Sequence, residues 1–176
     1  MLAAGALALV AAALPAEARK AAPKQDSPVP GGAKLVQSFG DWGAYTAQSG
    51  RSKMCYALSE PKSRSPANLK DTKAYLFVSF RPAEKVRNEL AAVLNFKTRE
   101  KGAGSLVIGS TSFDLITMGQ NAWIKTASDE SAVIGAMAKG GTLTLQALSA
   151  KGNKTADRYS LNGFSQALEQ AKRDCP

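Results

Sequence analysis

Hydrophobic and polar positions fall into three regimes along the chain. Leu2 to Leu14 is an unbroken apolar run, ended by Pro15 and followed by the small-x-small triplet Ala16-Glu17-Ala18. Residues 19–34 then hold Pro23, Pro28, Pro30 and the pair Gly31-Gly32 among Lys, Gln and Ser, a composition with nothing to pack. From about Leu35 short apolar stretches recur, divided by turn residues at a spacing of about 8–12 positions, the rhythm of an all-β fold.

Within that third regime the pattern predicts individual elements. Trp42 to Gln48 and Lys53 to Ser59 read as strands of a hairpin turning at Ser49-Gly50-Arg51-Ser52. Glu60 to Thr72, with Pro61 and Pro66 among polar residues, reads as a long surface loop. Lys73 to Phe80 is the clearest strand: Ala74, Leu76, Val78 and Phe80 face one way, Tyr75, Phe77 and Ser79 the other. Apolar groups on both faces place it centrally. Arg81-Pro82 breaks it, and Ala83 to Glu89 fits either an exposed helical turn or a polar loop. Leu90 to Lys97 is a further apolar run, and Arg99 to Gly104 a charged turn. Ser105 to Ile108, Thr111 to Thr117 and Asn121 to Lys125 follow as short strands separated by Gly109 and Gly119.

Two segments carry helical signals. Asp129 to Lys139 opens on acidic residues after Ser128 and stops at Gly140-Gly141, with Val133, Ile134 and Met137 on one side. Phe164 to Lys172 sets Phe164, Leu168 and Ala171 on one stripe. Between them Thr142 to Leu148 alternates strictly, Leu143, Leu145 and Ala147 pointing inward. Asp157 to Leu161 is a last strand. Eight or nine strands with two short helices, the second C-terminal, describe an all-β sandwich; βαβ units are absent, so a doubly wound sheet is excluded.

Composition changes this picture in two ways. The first segment reads as a signal peptide over 1–18, since thirteen apolar residues fall short of the roughly 20 that a spanning helix needs. It lacks a basic residue before Arg19. A linker over 19–34 and one folded domain over 35–176 complete the expected organisation, with no transmembrane span in the mature chain. No cysteine precedes Cys55, so no lipid-bearing cysteine follows the cleavage point. Removing 1–18 deletes one acid, Glu17, and no base, raising the formal charge from +9 to +10. Such a charge attracts anions and keeps copies apart, which predicts a monomer.

The second change comes from cysteine. Cys55 and Cys175 are the only two, 120 positions apart, and in an exported chain they predict one disulfide tying the first hairpin to the C-terminus. A redox role would need a Cys-x-x-Cys pair or a neighbouring histidine, and the sequence has neither.

Histidine is absent altogether, which excludes Ser-His-Asp and Cys-His catalysis and every histidine-containing metal site. Asp41, Glu60, Asp71, Asp114 and Asp157 stand singly, not as paired general acid and base, and Asp129-Glu130 is accounted for by a helix start. Lys151-Gly152-Asn153-Lys154-Thr155 faintly echoes a phosphate loop but lacks its upstream glycine, and reads as a hairpin turn. Asn153-Lys154-Thr155 is also a formal glycosylation sequon. The sequence therefore predicts no catalytic residue, no metal and no cofactor. Nucleic acid is disfavoured because the aromatics sit at core spacing and do not interleave with bases. The densest positive segments, Lys62, Arg64 and Lys70, then Arg81, Lys85 and Arg87, are the candidate binding residues. Trp42 joins them as an aromatic anchor if exposed, or packs over the core edge if not.

Phe39-Gly40-Asp41-Trp42 after a signal and linker, Cys55 in the following hairpin, and the closing run Tyr159-Ser160-Leu161-Asn162-Gly163-Phe164-Ser165-Gln166-Ala167-Leu168 before Cys175-Pro176 have a familiar order. In these features the chain resembles the invasion-associated locus B family of bacterial envelope proteins. The resemblance implies an immunoglobulin-like β-sandwich, exported to the periplasm or cell surface, and no carried-over catalytic residues. Many relatives have a cysteine soon after the tryptophan and a further central pair; here Tyr45-Thr46 follows and the middle is cysteine-free, so one disulfide is expected. The leading expectation is a non-enzymatic envelope protein binding an anionic component (lipopolysaccharide, acidic lipid or wall polymer) or an envelope protein. A surface-exposed host-contact factor and a carboxylate-dependent enzyme are the alternatives.

Overall fold

The computed structural model describes residues 32–49 and 52–176, so the expected signal peptide and most of the linker lie outside the described residues. Eleven strands join into one antiparallel sheet: β1 (Lys34–Phe39), β2 (Trp42–Ser49), β3 (Ser52–Ser59), β4 (Ser63–Ser65), β5 (Tyr75–Arg81), β6 (Val86–Val93), β7 (Gly102–Ile108), β8 (Thr111–Met118), β9 (Asn121–Ile124), β10 (Thr142–Leu148) and β11 (Lys154–Ser160). Their order is β1-β2-β3-β5-β6-β9-β8-β7-β10-β11-β4. Two helices, α1 (Glu130–Lys139) and α2 (Phe164–Asp174), complete the fold.

The sandwich arises by folding one sheet over. A short ladder, Ala91–Val93 of β6 against Asn121–Trp123 of β9, links the half that begins with β1 to the half that ends with β4. Ala57, Leu76, Val78, Phe80 and Leu90 from the first half share one core with Leu106, Leu115, Leu143, Leu145 and Tyr159 from the second. The period-2 alternation in each strand makes this possible, since it sends every second side chain to the inner face. Residues on the opposite face of β2, β3 and β5 form a second cluster, in which the Tyr45 and Tyr56 rings stack at 5.5 Å and Tyr56 meets Phe77 edge-on. That cluster is why β5 reads as apolar on both faces.

The motifs at the two ends of the domain are one structural unit. The Asp41 N–H donates to the Asn162 carbonyl at 3.0 Å, and the Trp42 indole N–H to the Ser160 carbonyl at 2.9 Å. The Trp42 ring lies 4.8 Å from that of Phe164, edge to face. Gly163 takes φ +90°, and a Cβ there would collide with the Phe39 carbonyl, so only glycine allows the strand and the helix start to meet. α2 buries Phe164, Ala167, Leu168 and Ala171 against the inner face. Its C-terminus carries Cys175 to Cys55, and the two form the expected disulfide.

Trp42 is 2% exposed, which settles it as core. Trp42→Phe keeps an aromatic ring against Phe164 and removes the indole donor from the Ser160 carbonyl. The expected loss is about 1–3 kcal/mol, read as a lower urea midpoint at unchanged slope. A midpoint equal to that of the native protein would show that the indole bond adds nothing.

The structure has eleven strands where the sequence suggested eight or nine, β7 and β11 begin at Gly102 and Lys154 inside expected turns, and three further places depart from the pattern. The first strand, β1, starts at Lys34 with Ala33 already buried, a strand the sequence pattern did not predict. The expected loop 60–72 contains β4, paired to β11 through Ser63–Ser65, and a 3-10 turn at Ala67–Leu69. The expected helical turn or loop at 83–89 is a 3-10 turn, Pro82–Glu84, after which β6 starts at Val86. At β4 and at the start of β6, pairing with β11 and β5 converts polar, low-propensity sequence into strand.

Candidate anion-binding surface

Half of the six bases that cluster in sequence, Lys62, Arg64 and Arg81, are neutralised in space. Lys62 pairs with Asp41 and holds that carboxyl below its ordinary range. Arg64 is the extreme case, its side chain only 4% exposed. Its guanidinium donates to both Asp157 oxygens at 2.8 and 2.9 Å, to the Thr72 carbonyl at 2.7 Å and to the Leu94 carbonyl at 3.0 Å. It also lies 5.8 Å from the Phe96 ring centre. Arg81 bridges Glu84 and Glu89, both at 2.7 Å, and this hydrogen bond holds the Glu89 carboxyl below its usual range. Lys73 meets Glu60 at 3.1 Å. Lys70, Lys85 and Arg87 are exposed and, among the described residues, in no ion pair.

These two segments do not converge. Lys62, Arg64 and Lys70 border a cavity of about 320 Å³ that reaches Lys73 and Ala74, just before β5. Arg81 closes the far end of that strand, opposite Val86. Seven extended residues separate them, roughly 20 Å. Trp42 shares the Lys62 side, since Asp41 pairs with Lys62, but its ring faces the core.

A different set of cations is carried by two loops that the fold joins, and sequence reading missed that pairing. The loop after β6 and the β10–β11 hairpin are tied by a Thr98–Ser149 bridge. Arg99 N–H donates to the Leu148 carbonyl at 3.0 Å, and Ala150 N–H to the Lys97 carbonyl at 2.8 Å. The joined loops carry Lys97, Arg99, Lys101, Lys151 and Lys154, all exposed, with Glu100 as the one carboxylate among them. None of the five cations is in an ion pair among the described residues. About 50 positions separate the two loops, so no window along the chain contains both; the charged turn at 99–104 and the phosphate-loop echo at 151–155 were separate traces.

Beside these cations lies a cleft of about 360 Å³ whose walls include Pro66, Leu69, Phe96 and Ala150, with Lys97 and Lys151 also lining it. Its surface is mostly apolar. A wider, shallower groove of about 540 Å³ runs over Ala103, Gly104, Ser105 and Gln146, with Lys154 on its wall.

Among the described residues, four of the five carboxylates that stood alone in sequence, all but Asp71, are engaged structurally. Asp41, Glu60, Asp114 and Asp157 each face a cation: Lys62, Lys73, Lys125 and Arg64. Burial pushes the Asp157 carboxyl up against the pull of Arg64, and burial likewise raises Glu130, whose carboxylate accepts the Leu90 N–H at 2.9 Å. Among the described residues no three Asp, Glu or Cys side chains gather as a metal site, and no helix is long and apolar enough to cross a membrane.

No protein-family model matches the chain, and no curated protein matches its sequence. In three dimensions it is similar to the crystal structure of invasion associated protein B from Bartonella henselae, with a TM-score of 0.55. The fold is shared. The match covers 80% of this chain and 97% of that one at 15% identity, a likeness of architecture and not of side chains. In this fold the motif residues meet: Trp42 and Phe164 are buried ring against ring, and Gly163 leaves room for the Phe39 carbonyl.

Proposed function

We propose that this protein is an exported, non-enzymatic envelope protein that binds an anionic envelope component through its cationic loops. The observation that carries this reading is the uneven use of charge: Lys62, Arg64, Lys73 and Arg81 are matched by acids, whereas Lys97, Arg99, Lys101, Lys151 and Lys154 are gathered and unmatched. Unpaired cations held on two joined loops attract phosphate or carboxylate arrays, and the attraction weakens as salt screens it. Lys70, Lys85 and Arg87 add to the general field from elsewhere. A disulfide suits an oxidising compartment such as the periplasm or cell exterior.

Sedimentation with vesicles of phosphatidylglycerol, with lipopolysaccharide and with wall polymer tests the reading against phosphatidylcholine vesicles. Binding is expected to at least one anionic partner and to fall steeply between about 0.05 and 0.5 M salt. Reversing Lys97, Lys151 and Lys154 to Glu is expected to weaken it about tenfold more than reversing Lys70, Lys85 and Arg87. Equal losses would assign binding to net charge alone, and no salt-sensitive binding at all would remove the anionic partner.

A second reading, a host-contact factor at the cell surface, is supported by the fold shared with a protein whose name records an association with invasion. Protease treatment of intact cells separates the two: a periplasmic protein is protected and a surface protein is cleaved.

A further inference from the structure

We infer that the cleft beside the cationic loops is a site for a single-chain anionic amphiphile, its chain lying against Phe96, Leu69 and Pro66 and its headgroup held by Lys97 and Lys151. This rests on the anion-binding reading above and adds a ligand class to that surface.

Three features of the cleft select the ligand. Its walls are mostly apolar although it opens to solvent, so a purely polar anion such as a wall polymer leaves Phe96 and Leu69 unmatched. Two lysines line the same cleft and, among the described residues, neither is in an ion pair, so an uncharged hydrocarbon leaves the cations unmatched. Only a molecule with both parts satisfies both halves of the lining. Volume then limits its size. At about 360 Å³ the cleft is at the small end of the roughly 300–1,000 Å³ range of ligand sites, room for part of one chain and not for two.

The walls are also held in place. Leu69 is anchored by its N–H to the Pro66 carbonyl at 2.9 Å. Phe96 lies against the Arg64 guanidinium, itself fixed by Asp157 and by the Thr72 and Leu94 carbonyls. Lys97 and Lys151 come from the two loops that the Thr98–Ser149 bridge joins. The lining is therefore built before any ligand arrives, which limits the ordering cost of binding.

Titration calorimetry of the purified protein with hexyl, octyl and decyl phosphate, each below its micelle concentration, tests the assignment. Inorganic phosphate and decyl maltoside serve as head-only and chain-only probes. Affinity is expected to rise about fourfold per added methylene until the cleft is filled, and both single-part probes are expected to bind at least about tenfold more weakly than decyl phosphate. Ala150→Trp, at an exposed wall position, is expected to abolish the chain-length dependence while leaving salt-sensitive vesicle binding intact. Lys97→Glu with Lys151→Glu is expected to weaken all the phosphates. Thermal melting of each variant verifies folding. Affinity independent of chain length, or unchanged by Ala150→Trp in a folded variant, overturns the amphiphile site even if vesicle binding persists. Loss of vesicle binding with alkyl phosphate binding retained would instead remove the wider surface reading and leave the cleft.

Discussion

Replacing Arg64 with alanine is expected to lower the stability of the fold by about 3–5 kcal/mol, the usual result of removing one partner from a buried ion pair. The Asp157 side chain, 2% exposed, would keep its charge in the core with both oxygens stripped of their donors. The carbonyls of Thr72 and Leu94 would lose a donor as well, and β4 would lose the tie that holds it over the 60–74 segment. The pH dependence has a definite sign. Burial already raises the Asp157 carboxyl, and without Arg64 nothing opposes that shift. A carboxyl raised in the folded state binds a proton there before it does in the unfolded chain. Stability of the variant relative to the native protein should therefore recover as the pH falls from 7 towards the unfolded value near 4. Urea denaturation at pH 7 and pH 5 measures both effects. A loss of under about 1 kcal/mol, or one that grows on acidification, would mean that the pair is not the buried link described. Arg64→Met combined with Asp157→Leu should be close to neutral, because it removes both charges together.

Removing the disulfide by Cys55→Ala and Cys175→Ala is expected to cost about 4–5 kcal/mol, since the cross-link closes a loop of 120 residues in the unfolded chain. The effect acts mainly on the unfolded ensemble, so the native contacts around it should survive. Lys53 Nζ still reaches the Asp174 carbonyl at 2.6 Å, and α2 still buries Phe164 and Leu168. Near-ultraviolet dichroism unchanged at low denaturant, with a much lower urea midpoint, is the expected combination. A small change in midpoint would show that the unfolded chain is already restrained between its ends. Because Arg64 and the disulfide share no partner, the two losses should add within a few tenths of a kcal/mol.

Local pattern was readable where burial follows directly from period. The strict alternation of Thr142–Leu148 predicted β10 with Leu143, Leu145 and Ala147 inward, and all three are buried. The 73–80 run predicted a strand with two apolar faces, and β5 has its Leu76, Val78 and Phe80 in one cluster and Tyr75 in another. Both helices lie within a few residues of their expected limits: in α1 an acidic start and a glycine stop act on neighbouring positions, and in α2 the apolar stripe of Phe164, Leu168 and Ala171 marks the buried side. By contrast, β4 is Ser63-Arg64-Ser65, a triplet with no strand signal, which is extended only because β11 offers it an edge.

Charge was the least readable property. A cluster of bases in sequence marks where cations are dense along the chain, not where they are free. Arg64, the centre of one such cluster, is the most buried cation of those considered, because its partner Asp157 lies 93 positions away. The five unmatched cations of the candidate surface come from two turns that nothing in the sequence links.

The sequence by itself determined the all-β class, the two helices, the disulfide and the inward side of the two most regular strands, since each depends on side-chain period or on residues that have one plausible partner. The tertiary structure alone decided how the sheet folds over, which carboxylate each base meets and which bases are left exposed together. Those outcomes depend on contacts between positions far apart in the chain, and a one-dimensional pattern holds no record of distance in space.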